Sequence, residues 1–102
     1  MNIVGPENLD ELIEDAYYRG LLPSVLVEAG GRVVDLAFLS LDRLNDEIKA
    51  NLEFSSCYMV PSNYIIISGD IDMKSIRNAL DIVSEGEDFK NLLYSAGDSP
   101  IN

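Results

Sequence analysis

Histidine is missing from all 102 residues, and cysteine occurs once, at Cys57. Without histidine there is no Ser-His-Asp or Cys-His arrangement, no histidine general base and no histidine-ligated zinc. One cysteine closes no internal disulfide and builds no thiolate zinc cluster. That excludes the disulfide-stapled scaffold class and fits a reducing, cytoplasmic setting. No apolar run approaches the ~20 residues of a membrane-spanning helix. The opening "MNIVGPENLDEL" lacks the basic start and apolar centre of a signal peptide. P-loop and dinucleotide-binding patterns are absent too. The expectation is a non-enzymatic chain without a cofactor or resident metal.

Bases are scarce: 7 against 18 acids, a formal net charge of −11. The imbalance sits at the two ends. Residues 1–18 hold five acids and no base, and residues 81–102 hold five acids and one lysine. Such a field repels nucleic-acid phosphates and anionic lipid and attracts basic partners, so nucleic-acid and membrane binding are not expected.

What is present reads as one α+β domain over 1–102, with 98–102 as a fraying tail. A hydrophobic fraction of 47% supports a core. Leu9, Leu12, Ile13, Ala16 and Tyr17 recur at helical spacing, with Asn8 as cap, Glu11 reaching back to it, and Gly20 as the stop. "SVLVEAGGRVVDLAF" reads as a hairpin around Gly30-Gly31 that pairs Val25 with Leu36, Val27 with Val34 and Ala29 with Arg32. A second helix is expected from Leu41 to Leu52, striped by Leu41, Leu44, Ile48 and Leu52 and capped by Ser40 or Asp42. "SSCYMV" and "YIIIS" read as two further strands, which puts Cys57 in a buried, unreactive position. Helices over Met73–Ser84 (burying Ile76, Ala79, Leu80 and Val83) and Glu87–Ser95 complete the order αββαββαα. The implied fold is a four-stranded, mainly antiparallel sheet with its helices mostly on one face.

"YIIISGDID" raises the question of chemistry, because a strand ending in glycine and two carboxylates can hold a metal or an acid–base pair. As a calcium loop from Asp70 it fails, with Lys74 at the fifth position, Ser75 at the sixth and Asp81 at the twelfth. A magnesium-dependent enzyme using Asp70 and Asp72 is the weaker alternative. The better account makes Asp72 the cap of the next helix, with Ile71 and Ile76 as a hydrophobic staple.

Two acidic groups remain. Asp10, Glu11, Glu14 and Asp15 occupy the outer face of the first helix with Tyr18 beside them, and no Glu–Lys pairing at i, i+4 spacing relieves them. Asp81, Glu85, Glu87 and Asp88 cluster near the last helix junction. Tyrosine area among carboxylates suits a basic protein surface. The expected function is therefore a small acidic module that neutralises a basic partner. Immunity proteins, antitoxins directed at a toxin such as a nuclease, and anionic nucleic-acid mimics work in this way. The alternative is a structural or accessory subunit that assembles, with itself or a larger complex, through a sheet face or edge.

Overall fold

Two consecutive glycines set the register of the sheet. Gly30 (φ 59°) and Gly31 (φ 78°) both adopt the left-handed backbone that a two-residue hairpin loop needs. The strands on either side, β2 (Leu21–Ala29) and β3 (Arg32–Ser40), pair Val25 with Leu36, Val27 with Val34 and Ala29 with Arg32. All three pairs match the expected register. Near the far end the register shifts between Leu22 and Val25, so an extra residue at Pro23-Ser24 keeps Leu22 on the same face as Val25 and Val27.

The computed structural model describes residues 2–87 and Lys90. Two further strands complete the sheet in the order β1-β2-β3-β4. A short strand, β1 (Asn2–Gly5), lies antiparallel to β2 at one edge. After β1 comes α1 (Leu9–Arg19), and after β3 comes α2 (Leu41–Leu52). The strand β4 (Tyr64–Ile67) then pairs with β3 in parallel, matching Phe38 with Ile65 and Ser40 with Ile67. Last is α3 (Met73–Val83). The observed order is βαββαβα, an α+β fold on a mixed sheet.

Three expectations about the fold need correction. First, β1 was not foreseen. Second, "SSCYMV" forms no strand: α2 spans about 18 Å at ~1.5 Å per residue, and the 53–63 connection returns the chain so that β4 runs alongside β3 rather than against it. Third, the helices do not share one face. Leu9, Ile13 and Ala16 of α1 and Ile76 and Leu80 of α3 join Leu22, Val25, Val27, Leu36, Phe38 and Ile67 in one core cluster. No side chain of α2 joins that cluster, and α2 itself has no buried residue. It packs on β3 and β4 from the opposite side, where Ala37 and Leu39 are buried. Leu41 and Leu52, the ends of its expected stripe, are exposed. The expected helix over Glu87–Ser95 and the tail at 98–102 lie, Glu87 and Lys90 apart, outside the described residues.

Capping divides in the same way. Ser40 caps α2, its Oγ accepting from the Arg43 N–H at 3.2 Å. Asn8 stands at the start of α1 but makes no side-chain capping bond, so the expected box with Glu11 is not formed. Tyr17, placed on the core stripe by spacing, is 48% exposed. It lies about 80° round the helix from Leu9, at the limit of the apolar stripe.

The "GDID" junction starts α3. The Asp72 carboxylate accepts from the Ser75 N–H at 2.8 Å, and Ser75 Oγ accepts from the Asp72 N–H at 2.9 Å. Ile71 and Ile76 are both buried in the core cluster. Asp72→Ala should lower stability by ~1 kcal/mol, read as a melting-temperature drop of ~4–8 °C. The drop should be the same with or without magnesium. If magnesium or calcium raised the wild-type melting temperature but not that of Asp72→Ala, Asp72 would be a ligand rather than only a cap.

Cys57 is exposed, contrary to the burial expected of it, because the stretch expected to be a strand is open chain. Tyr58 donates its hydroxyl hydrogen to Glu47 Oε2 at 2.8 Å, which ties this connection to α2 and leaves the thiol outside. A thiol reagent should therefore label the native protein nearly as fast as the denatured chain. Strong native protection would contradict this placement.

Candidate functional site

Parallel strands direct their carboxyl ends to the same side, and connecting turns there commonly form ligand crevices. Here β3 ends at Ser40 and β4 at Ile67, and a cleft of about 310 Å³ opens beside them. Three segments line it: residues 17–20 at the end of α1, Ser40, Asp42, Arg43 and Asp46 at the start of α2, and the 68–71 turn after β4.

Backbone bonds hold these segments together. Gly20 closes α1 with φ 74°, its N–H donating to the Ala16 carbonyl at 2.8 Å. The Gly20 carbonyl accepts from the Ser40 N–H at 2.8 Å. Arg43 crosses from α2, donating from one terminal guanidinium nitrogen to the Arg19 carbonyl at 3.0 Å. That places a cation on the negative end of the α1 dipole.

The cleft carries three carboxylates, Asp42, Asp46 and Asp70, and two guanidiniums, Arg19 and Arg43. Both guanidiniums are engaged. Arg19 pairs with Asp15 at 3.2 Å, and Arg43 pairs with Glu47 at 3.1 Å while also holding the Arg19 carbonyl. Among the described residues none of the three cleft carboxylates is in an ion pair. Tyr17 and Tyr18 form an edge-to-face pair with ring centroids 5.3 Å apart. The Asp70 carboxylate, through its charge and then a hydrogen bond, raises the Tyr17 hydroxyl above its ordinary value, so the phenol stays protonated at neutral pH. The hydrogen bond to Glu47 raises Tyr58 in the same way.

The structure separates the residues singled out from sequence. Asp10, Glu11, Glu14 and Asp15 are all exposed on α1 and none lines the cleft, whereas Tyr18, 83% exposed, stands at its rim. Asp15 is not unrelieved as expected, since Arg19 four residues on pairs with it. Asp81 lines a different, smaller pocket with Ile3, Arg77 and Leu80. Glu85 is exposed beyond α3, Glu87 pairs with Lys90 at 3.7 Å, and Asp88 lies outside the described residues. Asp70 and Asp72 do not act as a pair: Asp70 lines the cleft and Asp72 does not, its carboxylate capping α3.

Sequence reasoning missed Asp42, Asp46 and Asp70 as a group. The turn after β4, read from "YIIISGDID", was a usable signal. Its neighbours across the cleft could not be named while that strand was taken as antiparallel. Comparison with protein-family models, with curated proteins and with solved structures gives no match for this chain.

Proposed function

We propose that this chain is a small, non-catalytic acidic module that binds and neutralises a basic protein partner, as an immunity protein or antitoxin does to a toxin such as a nuclease. One observation carries the reading. The exposed carboxylates of α1 lead to Tyr18 at the rim of a cleft whose own carboxylates, among the described residues, are in no ion pair while its cations are engaged. Charge of one sign over such a surface steers a basic partner to it, and a rigid exposed aromatic supplies contact area at small entropic cost. The net charge of −11 acts in the same direction.

The test is capture from the native host with the full chain as bait, followed by titration of the captured protein at low and high salt. A basic partner whose binding weakens as salt rises supports the reading, and an acidic partner defeats it. The assembly alternative has an observation of its own. The sheet edge at β4 shows Ile66 at 40% exposure, and Phe54 and Met59 are 89% and 86% exposed. It would appear as self-association in sedimentation, insensitive to salt.

A further inference from the structure

We propose that the cleft at the carboxyl ends of β3 and β4 receives an arginine side chain of the basic partner. The guanidinium would lie against the Tyr17–Tyr18 pair and bond to the carboxylates of Asp42, Asp46 and Asp70. This inference rests on the reading of the chain as a binder of basic proteins and names the group that anchors the partner.

Size, charge and chemistry each narrow the occupant. A volume of about 310 Å³ stands at the lower limit of small-ligand sites, which run from roughly 300 Å³, and suits one long side chain better than a cofactor. An anion is disfavoured because the two guanidiniums that border the cleft already hold Asp15, Glu47 and the Arg19 carbonyl. A bound metal ion is disfavoured because, among the described residues, no three metal-binding side chains, the cleft carboxylates included, are grouped so that they could hold one. What remains is a cation, and the tyrosine pair selects its kind. A planar guanidinium stacks on an aromatic ring and bonds carboxylates through two parallel N–H groups, whereas an ammonium is a strongly hydrated point charge. Tyr17 stays protonated beside Asp70 and adds no negative charge of its own.

The probe is the blocked peptide acetyl-Gly-Arg-Gly-amide, titrated into the full chain and followed by amide chemical shifts. Lysine and citrulline peptides serve as controls. The arginine peptide should shift Tyr18, Gly20, Gly69 and Asp70, the lysine peptide should bind more weakly, and the neutral citrulline peptide should shift none of them. Combining Asp46→Asn with Asp70→Asn should raise the dissociation constant about tenfold or more, since each removes a charged acceptor. Both positions are exposed, so the fold should hold, and unchanged shifts elsewhere in the spectrum check it. Tyr18→Leu should narrow the preference for arginine over lysine. Absent cleft shifts, equal binding of lysine or citrulline peptide, or no loss in the double variant would each overturn the arginine assignment. The broader reading fails separately. It falls if the captured partner is indifferent to charge reversal at Glu11, Glu14 and Asp15, none of which lines the cleft.

Discussion

Replacing Gly20 by alanine is expected to destabilise the protein by roughly 2–4 kcal/mol, a melting-temperature loss on the order of 10–25 °C. Two independent effects add at this residue. With φ at 74°, any side chain here occupies the left-handed region, which costs an L-residue roughly 1–2 kcal/mol. The added methyl would also run into Ser40 Oγ and sit 2.9 Å from Arg43 Cβ. Ser40 cannot turn away freely, because its Oγ caps α2 through the Arg43 N–H. Relief of the overlap therefore costs either that cap, ~1 kcal/mol, or a shift of α2 against α1. Gly31→Ala is the control, because Gly31 has φ 78° but nothing within 4 Å of the added carbon. It should show the backbone effect alone. Equal melting temperatures for the two variants would mean that the close approach of α1, β3 and α2 at Gly20 is not what the structure describes.

Local chemistry made part of this fold legible. The hairpin could be read because Gly30-Gly31 leaves one pairing available, and Val25–Leu36 and Val27–Val34 follow from it. Helix α3 could be read because Asp72 as cap and Ile71 with Ile76 as staple favour the same start, to which the structure adds Ser75 as the other half of the capping box. The direction of β4 could not, since "YIII" fits a parallel or an antiparallel neighbour equally well and the choice is made by α2 and the return from it. Cys57, Tyr58, Met59 and Val60 have strand composition but form no strand, with Tyr58 turned to Glu47. At four residues with Ile3 alone packed against the core, β1 carries too short an alternation to register. The site suffered from the same error. Asp70 lies 24 and 28 positions beyond Asp46 and Asp42, across the α2 crossover, and lines the same cleft only because β3 and β4 are parallel.

Reversing Glu11, Glu14 and Asp15 to lysine should abolish or severely weaken partner binding while leaving the fold in place. All three are exposed, and the buried stripe of α1 is Leu9, Ile13 and Ala16, so the core is untouched. Two small stability losses are expected. Lysine at position 11, in the first turn, opposes the helix dipole at ~0.3–1 kcal/mol. Lysine at position 15 replaces a surface ion pair with Arg19 by repulsion, a few tenths of a kcal/mol. Binding has more to lose: reversed rim charges slow association, and a desolvated pair broken at the interface costs ~2–5 kcal/mol. Salt should weaken the wild-type complex in the same sense, because exposed charges are screened beyond ~8 Å at physiological ionic strength.

The most direct measurement is the dissociation constant of the captured partner for wild type and for the triple lysine variant, each at low and at physiological salt. The account predicts a basic partner that binds wild type more weakly as salt rises and binds the variant at least about thirtyfold more weakly at either salt, the lower end of that interfacial loss. An acidic partner, or equal affinity for the two proteins, would contradict it.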